Sequence, residues 1–168
     1  MLINGYKLKE AIKDWEMKRD SKKSEFSSSL KKFPDEEKEH PTLLAKEIVE
    51  AESAIVKLQE LQMRYNCLVK VKVLDNEISL CEAVKSHGFA GRIEKMWKDA
   101  LIAKKDSYDY RSDEKSTTTI FSSEVMKSSE VMLELKRATK FANAINAAIG
   151  VANGVEIDFD RVDDKLFA

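Results

Sequence analysis

A chain of 168 residues fits one domain of ordinary size and is long enough to bury a core. With 35% charged residues, 8% aromatics, 5 Gly and 2 Pro, the composition argues against a sheet-rich sandwich and for long helices with solvated faces. Lys and Arg number 29 against 30 Asp and Glu, a net charge of -1, so there is no global attraction to nucleic acid or to an anionic membrane, and such a partner would need a local patch.

Met1 to Ile3 is apolar but runs straight into Asn4-Gly5 and charged residues, too short for the core of a signal peptide. Nor is there an apolar stretch of about 18 residues to cross a bilayer. The expectation is a cytoplasmic protein whose two cysteines, Cys67 and Cys81, are free thiols.

Leu8, Ile12, Trp15, Phe26, Leu30 and Phe33 recur at helical steps, predicting a helix from about Tyr6 to Lys32 with Arg19 and Lys22 interrupting its stripe. Pro34, Asp35-Glu36-Glu37 and Pro41 predict a turn. Leu44, Ile48, Ala51, Ile55, Leu58, Gln62 and Tyr65 then step 4-3-4-3-4-3, a coiled-coil seam. Residues 7–33 hold nine Lys/Arg against five Asp/Glu, and 35–60 hold three against eight, so a basic helix should fold back on an acidic one. The expected helical hairpin covers 6–68.

Val69, Val71 and Val73 alternate with Lys70 and Lys72, which predicts a β-hairpin over 69–80. An Asp75-Asn76 turn would set Val73 opposite Ile78 and Val71 opposite Leu80. Ser79 and Glu82 have capping-box spacing, so a helix should start at Leu80. His87-Gly88 reads as its stop and Gly91 as the start of a second helix over Arg92 to Lys105, giving two helices within 80–105. Cys67, at the end of the second predicted helix, reads as a small buried residue.

From Asp106 to Thr119 the sequence has no periodicity, which predicts a surface loop. Ser122 or Ser123 can cap a long helix over 122–150. Val131, Leu135, Ala138, Ala142, Ile145 and Ile149 give it an alanine-rich seam. Gly150 and Gly154 should weaken it before a tail, 151–168, in which Val155, Ile157 and Phe159 alternate as a short strand. The expected fold is mainly α: a single domain, an antiparallel coiled-coil helical bundle with a short β-hairpin.

His40 and His87 are the only histidines, and their settings argue for surface roles rather than a triad or a multi-histidine metal site. A catalytic Cys67–His87 thiolate pair is disfavoured, because Cys67 sits at a helix end where a small buried apolar residue is the ordinary occupant. Glu156, Asp158, Asp160, Asp163 and Asp164 lack the spacing, glycine and terminal glutamate of an EF-hand. Gly88 to Gly91 is too short for a phosphate-binding loop. The expectation is therefore no enzyme, no metal and no cofactor. The candidate interaction surface is Arg92, Lys95, Lys98 and Lys105 on a basic helix, with Tyr108, Tyr110 and Arg111 in the loop after it.

A helix opening Lys7-Leu8-Lys9-Glu10-Ala11-Ile12, a second ending Arg64-Tyr65-Asn66, then Leu80-Cys81-Glu82-Ala83-Val84 and a tyrosine-bearing segment before a last long helix resemble the septicolysin-like family of small bacterial proteins. The family name implies a pore-forming cytolysin, and the resemblance supplies no catalytic residue. A membrane barrel needs strands of about 9 to 11 residues, roughly twice what Val69 to Leu80 offers. The leading expectation is a protein that works by protein–protein interaction as a homo-oligomer. The alternative is a nucleic-acid- or anion-binding accessory protein using the 92–105 helix.

Overall fold

The computed structural model describes residues 1–31, 39–112 and 126–167, and of 104–112 the backbone only. It is mainly helical, with a short antiparallel hairpin, and divides into two compact units, Met1–Val69 with Val151–Ala168, and Lys70–Gly150.

In the first unit, β1 (Leu2–Ile3) leads into α1 (Gly5–Ser29). Asn4 caps α1, its side-chain oxygen accepting from the Lys7 amide at 2.9 Å, which satisfies one of the donors every helix start leaves free. Phe33 and Lys32, at the end of the predicted helix, and most of the predicted 34–41 turn lie outside the described residues. α2 (Pro41–Leu68) begins at its proline, where the missing N–H costs nothing, and the His40 ring nitrogen accepts from the Thr42 amide at 3.3 Å.

α1 and α2 pack antiparallel, as the charge asymmetry leads one to expect. Lys22 Nζ lies 3.0 Å from Glu47, Lys23 Nζ 3.0 Å from Glu52, and Arg19 Nε 3.7 Å from Glu52. The two cations that interrupt the apolar stripe of α1 are thus cross-helix partners. Leu44, Ala51, Ile55, Leu58 and Tyr65 of the predicted seam are buried, joined by Ala54 and Leu61. In α1, Leu8 is buried, Ile12, Trp15 and Phe26 are half-buried, and Leu30 is exposed. Cys67 is exposed, not buried, because it falls off the seam; both cysteines are free thiols.

The tail does contain a short strand. β4 (Ile157–Asp158) pairs antiparallel with β1, Ile3 opposite Ile157. A 3-10 turn (Asp164–Phe167) follows, and Trp15 Nε1 donates to the Leu166 carbonyl at 3.0 Å. Half-buried Trp15 therefore spends its polar edge on the tail.

The second unit opens with β2 (Lys70–Val73) and β3 (Asn76–Ser79). The apolar face is as expected, with Val71 and Val73 buried, but the register differs. Val71 lies opposite Ile78 and Val73 opposite Asn76, so the turn is Leu74-Asp75 and not Asp75-Asn76. The turn moves by one residue but each cross-strand partner by two, and a two-residue shift leaves every side chain on its face, which is why alternation alone could not detect it. Leu74 takes φ 55 at this turn, a left-handed conformation that costs an L-residue roughly 1–2 kcal/mol and that asparagine tolerates better. Leu74→Asn is expected to stabilise the protein by about 1 kcal/mol, read as a higher melting temperature. An unchanged or lower value would mean that the Leu74 side chain makes up for its backbone.

α3 (Leu80–Ser112) starts where the Ser79 cap places it, with the Glu82 amide donating to Ser79 Oγ at 3.1 Å. It does not stop at His87-Gly88. The helix runs unbroken through Gly88 and Gly91, neither of which has positive φ, so the two predicted helices are one. A glycine costs a helix about 1 kcal/mol, and burial of Leu80, Ala83 and Ala90 on one side of α3 outweighs that. Residues 106–112 of the predicted 106–119 loop are likewise helical, while 113–119 lie outside the described residues.

α4 (Ser128–Ala152) is the last long helix. Ser122 and Ser123 lie outside the described residues. At its start the Lys127 amide donates to Glu130 Oε2 at 2.7 Å. Val131, Ala138, Ala142 and Ile145 are buried, and the helix continues through Gly150 to Ala152, two residues beyond the expected end.

Candidate interaction face on α3

The seven residues singled out by sequence all fall on α3, because the helix extends to Ser112. Arg92, Lys95 and Lys98 are exposed. Lys98 is committed to its own helix, its Nζ 2.8 Å from Glu94 Oε1. That carboxylate also accepts from Thr139 Oγ1 of α4 at 3.1 Å. The Lys98 hydrogen bond, then that of Thr139, holds the Glu94 carboxyl below its ordinary range. Glu94 is thus a joint between α3 and α4, and the basic patch is reduced accordingly. Lys105, Tyr108, Tyr110 and Arg111 are placed on the helix by backbone alone.

Most of both long seams read from the sequence is buried, with Leu135 and Ile149 of the second half-buried. A third row is more exposed. Phe89, Ile93, Met96, Ala100 and Ala103 step 4-3-4-3 along α3, beside the buried row that includes Ala83 and Ala90. Phe89 is 52% and Met96 49% exposed, Ala103 is exposed, and Ile93 and Ala100 are half-buried. From sequence, Ile93, Met96 and Ala100, with Trp97 and Leu101, already form the apolar side of the 92–105 helix; Phe89 is left out because one helix is ended at Gly88 and the next begun at Arg92.

One edge of the row carries Lys85, Arg92 and Asp99 at seven-residue intervals, all exposed. Among the described residues none of the three has an ion-pair partner. The other edge carries buried Ala90 and half-buried Trp97. On the far flank of α3, Leu101, Met132, Leu135, Lys136 and Thr139 line an open groove of about 620 Å³. Among the described residues no three His, Cys, Asp or Glu side chains gather as metal ligands, and no helix is long and apolar enough to cross a membrane. What the face can do chemically is bury apolar surface and pair charges.

No protein-family model and no curated protein matches the chain. Its fold is similar to the crystal structure of a functionally unknown conserved protein from Corynebacterium diphtheriae, with a TM-score of 0.65 at 14% identity, covering 94% of this chain and 100% of that one.

Proposed function

We propose that this protein is a helical interaction module that self-associates through the Phe89–Ile93–Met96–Ala100 face of α3. The observation that carries the reading is an apolar row at heptad spacing, with Phe89 52% and Met96 49% exposed, on a helix whose adjacent row of Ala83 and Ala90 is already buried. Covering the exposed halves of Phe89 and Met96 is worth roughly 1 kcal/mol per side chain in each copy. Against the cost of immobilising two molecules, that describes a weak, concentration-dependent dimer.

Sedimentation equilibrium from roughly 10 µM to 1 mM tests it. The expected result is a reversible dimer that Phe89→Glu with Met96→Glu returns to monomer without loss of helical content. A wild-type monomer across the range overturns the reading. Dye release from phospholipid vesicles exposed to the same sample would instead favour the pore-forming activity that the septicolysin-like resemblance implies.

A further inference from the structure

The face on α3 has an edge that is electrostatically self-complementary, and this selects the orientation of its occupant. Resting on the self-association reading above, we propose that the partner is a second α3 running antiparallel, in the register that sets Arg92 against Asp99 of the second copy.

In an antiparallel helix pair each edge residue meets the same edge of its partner; in a parallel pair it meets the opposite edge. The exposed edge here reads Lys85, Arg92, Asp99, basic before acidic. Antiparallel pairing therefore makes two equivalent Arg92–Asp99 contacts about a two-fold axis. Parallel pairing would set the same charges against Ala90 and Trp97, which carry none.

The apolar row fits the same register. Placing Arg92 opposite Asp99 puts Ile93 against Met96 of the second copy and Phe89 against its Ala100, a large side chain over a small one at each end. Phe89 and Met96 are half-exposed, so these layers cover the large apolar side chains that the row leaves open. Arg92, Lys85 and Asp99 have no ion pair to give up among the described residues, so the contacts cost no existing interaction.

The test is charge reversal with cross-complementation, followed by sedimentation equilibrium on the full chain. Arg92→Glu places two carboxylates together at both ends of the axis, and Asp99→Lys places two cations there. Each variant alone is expected to weaken dimerisation about tenfold. The equimolar mixture should form a heterodimer with the wild-type constant, because both contacts are then of opposite charge, and the double variant should recover likewise. A wild-type dimer whose affinity neither single variant changes, or single variants that weaken but do not complement, would overturn the antiparallel register while leaving self-association standing. A wild-type monomer would overturn both. Circular dichroism of each variant guards against misfolding, and the recovery in the mixture is itself a folding control.

Discussion

Tyr65→Phe is expected to destabilise the protein by about 1–3 kcal/mol, and Tyr65→Ala by about 3–5 kcal/mol. Tyr65 is the largest fully buried side chain among the described residues, with no exposed surface. Its hydroxyl reaches two carbonyl oxygens, Ala152 at 2.6 Å and Val155 at 2.8 Å, and its single proton must serve both. Ala152 is the last residue of α4, and a turn closed by the Gly154 and Val155 amides follows it. The phenol thus ties the chain leaving α4 to α2. Phenylalanine fills the same space but leaves two carbonyls without the donor, so the loss is polar; alanine adds a cavity. Urea unfolding measures both, and a phenylalanine variant as stable as wild type would mean that water replaces the hydroxyl.

The same group gives stability a dependence on alkaline pH. Burial raises the Tyr65 pKa, only partly offset by the Gly5 backbone amide. A phenol whose folded pKa lies above its unfolded value, near 10, retains its proton longer in the native state. Its contribution is complete below that unfolded value and is lost as pH rises through it toward the folded one. Lys22 acts in the same direction, its pKa raised by hydrogen bonds first to Glu47 and then to Glu25. Stability should therefore fall above about pH 10, and Tyr65→Phe should shallow that fall without abolishing it. An identical alkaline slope in the variant would remove Tyr65 from this account.

Gly5→Ala is expected to cost about 1–3 kcal/mol, although alanine is the better helix former by about 1 kcal/mol. A β-carbon at Gly5 would fall on Asn153, touching its Oδ1 and lying 3.1 Å from both its Cα and Cγ. The side-chain oxygen can swing aside; the backbone Cα cannot, since the Asn153 carbonyl accepts from the Tyr6 amide at 3.3 Å. Gly91 is the control, because a β-carbon there meets nothing within 4 Å. Gly91→Ala should stabilise by up to about 1 kcal/mol through helix propensity alone. Opposite signs at the two glycines in urea midpoints are the expected outcome; a stabilising Gly5→Ala would mean that α1 and the Asn153 turn move apart at little cost.

By itself the sequence determined the features that are local or periodic. The 4-3 repeats located α2 and α4, the alternation of valine with lysine located β2, Ser79 marked the start of α3, and the charge imbalance foretold α1 on α2. All but the last rest on hydrogen bonds or side-chain spacing within a few residues, so nearby letters suffice, and the last rests on the opposite charge of two consecutive segments. Tertiary structure decided what the same letters could not. Gly88 and Gly91 are neutral between a helix stop and a helix interior, and burial of Leu80, Ala83 and Ala90 settled them as interior. Leu2–Ile3 became a strand only because Ile157–Asp158 lies beside it. The row from Phe89 to Ala100 stands out as a candidate interface only in the folded structure, where Phe89 and Met96 are half-exposed, because exposure belongs to the folded chain and not to any residue in it.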